Sequence, residues 1–122
     1  MTLPRPALRR WLMRAVFIAV LAAVLYAGLR QQPVPEVFNQ EDKLYHVLGF
    51  AALAVCTRLA FPRRGWWWQV LGALAIGGGI ELLQNMQPAR VGSLWDFVAD
   101  AIGVGIGWLL LQLPILRRWT AD

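Results

Sequence analysis

The sequence predicts an all-α membrane protein, a bundle of four transmembrane helices with both termini on the cytoplasmic side. Three observations carry this reading. Of 122 residues, 58% are hydrophobic and 16% charged, whereas a soluble domain carries about 25% charged residues. Four apolar stretches approach the ~20 residues that a helix rising ~1.5 Å per residue needs to cross a ~30 Å hydrocarbon core. Finally, the basic residues gather on one side of those stretches.

The first stretch, about 11–29, runs from Trp11 to Leu29 and is broken only by Arg14, whose long side chain can snorkel to the headgroups. Its length and the poor small-x-small match of Leu25-Tyr26-Ala27 make it an uncleaved signal anchor. The second, about 43–61, has Arg58 near its far end, which leaves Leu44 to Thr57 as a short uncharged span. The third covers 66–84, and the fourth about 95–116, with Pro114 in its last turn. Proline- and glycine-bearing connections, Gln31 to Pro35, Pro62 to Gly65 and Gln87 to Ser93, join them. They leave no room for a second domain, so 1–122 reads as a single membrane domain without repeats.

Charge sets the topology. Arg5, Arg9, Arg10, Arg14, Arg58, Arg63, Arg64, Arg117 and Arg118 fall on one side, and the positive-inside rule makes that side cytoplasmic in a multi-pass protein. Arg30, Lys43 and Arg90 fall on the other, with six of the seven acids. Trp66, Trp67, Trp68 and Trp119 then lie at the cytoplasmic headgroups and Trp95 at the external ones. A net charge of +5 invites a nucleic-acid reading, but the basic residues flank apolar runs, so no nucleic-acid partner is expected. One cysteine, Cys56, and one histidine, His46, exclude disulfide-stapled and zinc-finger folds.

The ionisable residues within the apolar runs map to the external ends, and such groups are costly in a membrane unless paired or wet. Asp42, Lys43 and His46 share one face at the top of helix 2, Glu81 and Gln84 lie three apart near the end of helix 3, and Asp96 and Asp100 four apart at the start of helix 4. The Asp96–Asp100 stripe continues into Gly103 and Gly107, a small-xxx-small pair, while Gly77-Gly78-Gly79 lies one turn below Glu81. A tight bundle with an outward-facing polar pocket follows. No strand precedes the glycines, which excludes a phosphate loop. Each group also has a structural alternative. Asp42 and Asp96 suit helix N-termini, Lys43 and Arg90 suit interfacial anchoring, and His46, Glu81 and Asp100 suit an interhelical polar lock.

The series Asp42-Lys43-x-x-His46-x-x-x-Phe50, Glu81-x-x-Gln84, Arg90 and Ser93-x-x-Asp96, leading to Gly103 and Gly107, resembles the VanZ-like family of small bacterial membrane proteins. The chain departs from that pattern at Asp100, where asparagine is usual; the extra carboxylate implies either cation binding or a protonated acid. The resemblance implies the bacterial cytoplasmic (inner) membrane. Its founding members are accessories to teicoplanin resistance, so an accessory role in glycopeptide resistance is one implied expectation.

Two function classes remain open. In the first, the protein recognises a lipid-linked or cell-surface molecule, with Lys43 and Arg90 on phosphate and Glu81, Gln84, Asp96 and Asp100 on sugar hydroxyls or amines. In the second, it is an intramembrane enzyme modifying an envelope lipid or glycan, with His46, Glu81 and Asp96 catalytic and Asp42 or a neighbouring carboxylate orienting the imidazole. No cofactor is required in either class. A divalent metal on His46, Glu81 and Asp96 or Asp100 is a variant of the second. A proton-coupled carrier is weaker, because its carboxylates would sit near the midplane and a homo-oligomer would be needed to enclose a path.

Overall fold

The computed structural model describes residues 5–30, 41–87 and 94–120. Five helices form among them: α1 Arg5–Leu29, α2 Glu41–Ala60, α3 Trp66–Asn85, α4 Leu94–Leu110 and α5 Pro114–Thr120, with no strand in the described residues. α1 and α2 are long and apolar enough to cross a membrane, and the bent α4–α5 pair makes a third such span if counted as one. α3 is also 20 residues long, but its tryptophan-rich start and its Glu81, Gln84 and Asn85 dilute the apolar character.

The fifth helix corrects the sequence reading. Pro114 was expected inside the last turn of one continuous helix, but α4 stops at Leu110 and α5 leaves it at 91°. Proline has no N–H to return to the carbonyl four residues back, and its ring clashes there. The chain tightens instead, with Gln112 N–H donating to the Leu109 carbonyl and Leu113 N–H to that of Leu110. Pro114 then opens a new helix at the position where its missing donor costs nothing.

α2 is the centre of the bundle, packed most extensively on α4 and next on α1. Phe50 and Leu53 of α2, Ala73 and Ile80 of α3 and Val104 of α4 form the buried core. α1 buries no residue fully; Phe17, Val20, Leu21, Val24 and Leu25, at three- and four-residue spacing, lay one stripe against that core. Its other face exposes Trp11, Leu12, Val16, Ile18 and Tyr26. Leu44, Leu48, Leu71, Leu82, Ile102 and Leu109 are likewise exposed on the other helices. Such a surface suits hydrocarbon and not water. In hydrocarbon the apolar transfer term between helices vanishes, so close packing and polar pairing must hold the bundle.

Close packing is concentrated between α2 and α4. A Cβ added at Gly107 would meet the Ala51 carbonyl oxygen at 2.7 Å and Ala54 Cβ at 2.8 Å, and one at Gly103 would run into the Val47 carbonyl. Both backbones therefore touch, as the small-xxx-small spacing predicts. The glycine triplet of α3 behaves less uniformly. Only Gly77 is tight, a Cβ there meeting Asp100 Oδ2 at 2.7 Å, while Gly78 makes ordinary contact with Phe97 and Gly79 faces open space.

Arginines close the opposite end. Arg10 donates to the Leu59 carbonyl, and Arg14 Nε to that of Ala60 at 3.4 Å. These are carbonyls at the C-terminus of α2, where unsatisfied acceptors and the negative end of the helix dipole favour cations. Arg14 thereby joins α1 to α2, and its guanidinium lies over the Trp11 and Phe61 rings. The Arg9 guanidinium lies over the Trp119 ring of α5, so the start of α1 and α5 share one end of the molecule.

Candidate functional site

The polar groups converge at the other end, where α2 and α4 begin and α1 and α3 finish. Glu41, Glu81, Gln84, Asp96 and Asp100 are all buried there. The α4 face explains how: Asp96, Ala99, Asp100, Gly103, Val104 and Gly107 are its buried residues, a single stripe at helical spacing. The stripe that supplies the glycine contact with α2 thus also turns both aspartates inward.

Lys43 Nζ donates to Asp96 Oδ1 across the α2–α4 interface at 2.6 Å and to its neighbour Asp42 Oδ2 at 3.0 Å. One turn on, His46 Nδ1 lies 2.6 Å from Asp100 Oδ1, and His46 Nε2 lies 3.9 Å from Asp96 Oδ2. Asp100 is wholly buried, and its Oδ2 has no hydrogen-bond partner among the described residues. A buried carboxylate oxygen without a donor is costly. On α3, Gly77 leaves the space this oxygen occupies.

Glu81 joins from α3. One ligand-type atom from each of His46, Glu81 and Asp100 lies within 4.8 Å of the others. A histidine nitrogen and two carboxylate oxygens are donor types that divalent zinc or manganese accepts. Asp96, offered alongside Asp100 as a third ligand, is not in that trio; its Oδ1 is bonded to Lys43.

Asp42, Lys43, His46, Glu81, Asp96 and Asp100 therefore meet at one end of the bundle. Gln84 turns elsewhere: its amide donates to the Gly28 carbonyl at 2.6 Å, and Gln87 donates to Leu29 at 2.9 Å. These two bonds dock the end of α3 on the end of α1, in carbonyl groups that a helix terminus leaves open. Arg90 and Ser93 lie outside the described residues.

Two participants are not among the sequence candidates. Glu41, in the first turn of α2, is buried and accepts a hydrogen bond from the Tyr45 hydroxyl. Their four-residue spacing was the available signal, but tyrosine at an interface is ordinarily read as a belt residue. Gly77 is the other, visible only once α3 and α4 are docked. Carboxyl groups dominate this end: Glu41, Asp42, Glu81, Asp96 and Asp100 stand with Lys43, His46 and Arg30 as the basic groups among the described residues.

The fold and this cluster define a class: a helical, membrane-type protein with a buried histidine–carboxylate network at one end. The family model VanZ/LLP1 matches residues 8–117, and the chain belongs to that family. No curated protein and no solved structure matches it.

Proposed function

We infer that the chain is a four-span, multi-pass protein of the bacterial cytoplasmic membrane, with both termini inside, that recognises an envelope or lipid-linked molecule at its external polar end. The arginine-rich start of α1 and α5 sharing one end, opposite the acids, supports this orientation. α3 would supply the fourth crossing.

The observation that carries the recognition reading is Lys43 held between Asp42 and Asp96. A phosphate placed on Lys43 would compete with two carboxylates already bonded to it. The remaining groups are chiefly acceptors, so the ligand group that fits is a donor, an amine or sugar hydroxyl. A part in glycopeptide resistance would be one outcome of binding an envelope molecule on that face. Native mass spectrometry in mild detergent tests this with phosphatidylethanolamine and a glucosyl diacylglycerol as probes. Glu81→Gln and Asp96→Asn are expected to weaken retention about five- to thirtyfold, in keeping with ~1–2 kcal/mol per charge-assisted bond. Unchanged retention in both variants refutes the reading.

A second reading rests on the His46–Asp100 pair. A buried carboxylate on Nδ1 fixes the imidazole ring and leaves Nε2 as the working nitrogen, the arrangement of a general base. Proximity of Glu81 also permits the metal-holding variant, with His46, Glu81 and Asp100 as ligands. Elemental analysis decides it: one zinc or manganese per chain, lost in both His46→Ala and Glu81→Gln, would favour an enzyme.

A further inference from the structure

The 91° turn at Pro114 does more than end α4. It brings α5 into contact with α2, and a pocket of about 320 Å³ forms where α2, α3, α4 and α5 meet. That volume is on the scale of small-ligand sites, ~300–1,000 Å³. Val70, Val104 and Leu111 give it an apolar floor, and Trp66 and Trp108 flank it. Val104 and Leu111 are buried whereas both indoles are exposed, so the pocket runs from an aromatic rim to an aliphatic interior.

Two guanidiniums reach this one pocket from separate helices, Arg58 of α2 and Arg117 of α5, and no acid lines it. Every acid among the described residues lies at the other end of the bundle. Arg58 donates from Nη1 to the Arg64 carbonyl at 2.8 Å, a neutral acceptor that leaves its positive charge and the other donors of the fork in place. The exposed Arg117 side chain engages no partner among the described residues. The neutral donors of the pocket are already engaged: Gln69 with the Phe61 carbonyl at 2.9 Å, Gln112 with that of Trp108 at 3.3 Å and the Thr120 hydroxyl with that of Arg117 at 2.9 Å. What the pocket offers a ligand is therefore positive charge in two forks over an apolar floor.

We propose that this pocket binds a phosphate ester that carries a hydrocarbon group, with the phosphate on Arg58 and Arg117 and the hydrocarbon on Val70, Val104 and Leu111. Two forks from different helices can hold separate oxygens of one phosphate, whereas a carboxylate has two oxygens that a single fork already occupies. Free phosphate would leave the floor uncovered, and a neutral amphiphile would leave both guanidiniums unpaired. An anionic phospholipid and a soluble alkyl phosphate both present this chemistry. The site lies away from the polar cluster and does not depend on the role of that cluster.

Native mass spectrometry of the full chain in neutral detergent tests this with phosphatidylglycerol, decyl phosphate, zwitterionic phosphatidylcholine and inorganic phosphate. One phosphatidylglycerol or one decyl phosphate per chain is expected to be retained about tenfold or more better than either phosphatidylcholine or inorganic phosphate. Preference for the first assigns the site to a lipid headgroup, preference for the second to a soluble ester, and either supports the proposal. Arg58→Gln/Arg117→Gln should lower retention about tenfold, and Arg117→Gln alone, at an exposed side chain, about threefold. Arg63→Gln/Arg118→Gln removes the same charge from the same end but outside the pocket, and should leave retention within about twofold. Equal losses in the two double variants would reduce the effect to the general attraction of a basic protein end for anions and overturn the proposal. Retention of inorganic phosphate or phosphatidylcholine equal to that of the anionic esters would overturn it as well.

Discussion

Replacing Gly103 by alanine should damage the polar site from a full turn away, because the close contact of α2 with α4 and the paired charges above it share one interface. A Cβ at Gly103 would lie 3.0 Å from Phe50 Cβ and 3.1 Å from the Ala51 nitrogen, with the Val47 carbonyl oxygen nearer still. Two of these three neighbours are backbone, which cannot rotate aside. Ordinary contact begins at 3.4 Å, so the helices must part by about 0.5–1 Å to accept the methyl group. Lys43–Asp96 and His46–Asp100 both bridge that gap at 2.6 Å. Stretched to about 3.1–3.6 Å, they reach or pass the limit of a good hydrogen bond. Overpacking costs ~1–3 kcal/mol and a weakened charged hydrogen bond ~1–2 kcal/mol more, so Gly103→Ala should destabilise the bundle by about 2–5 kcal/mol. Unfolding in mixed micelles with rising dodecyl sulfate, followed by tryptophan fluorescence and helical circular dichroism, measures this. In a double-mutant cycle with His46→Ala the penalty should shrink by about 1 kcal/mol, since the bond being stretched is already gone. A cost below about 0.5 kcal/mol, or strict additivity with His46→Ala, refutes the coupling.

Lys43→Ala strands the largely buried Asp96 charge and should cost about 2–3 kcal/mol; adding Asp96→Asn should recover more than half of it. The same unfolding assay reads both, and an identical Lys43→Ala penalty with and without Asp96→Asn would show that the pair contributes nothing. Pro114→Ala supplies an N–H that can replace that of Leu113 on the Leu110 carbonyl and continue the α-helical ladder, so the 91° break between α4 and α5 should relax. Spin labels on Gly105→Cys and Thr120→Cys in a Cys56→Ser background should move toward the ~22 Å of a straight 15-residue helix. A distance distribution matching that of the unsubstituted Pro114 chain would place the cause of the bend elsewhere.

Much of this architecture was legible before any coordinate. The second and third apolar stretches form helices within two residues of their expected bounds, while the first helix begins six residues earlier, at Arg5, and the fourth ends at Leu110; an apolar run of that length has few other ways to satisfy its backbone in lipid. The Asp96, Asp100, Gly103, Gly107 stripe was legible too, since helical periodicity puts these residues on one face whatever they meet. Pro114 marks the limit of that reasoning. Its effect on the preceding carbonyl is local and foreseeable, but whether the chain kinks gently or starts a new helix at 91° depends on what α5 finds to pack against.

Pairing was beyond the sequence. Lys43 took Asp42 and Asp96; His46 took Asp100; Gln84 left the cluster for the Gly28 carbonyl of α1. Arg10 and Arg14 went to the open carbonyls of α2. Periodicity along one helix fixes which residues share a face, whereas the rotation and height of the next helix decide which atoms come within hydrogen-bonding distance. Those two quantities are set by the glycine contacts of Gly103 and Gly107 against α2 and by the buried core around Phe50. The sequence by itself therefore determined a membrane-type helical chain with six of its seven acids toward one end and most of its arginines toward the other. Only the tertiary structure decided which of those charges are neutralised by a partner and which remain to meet a ligand, because that depends on distances of a few ångströms between segments more than fifty residues apart.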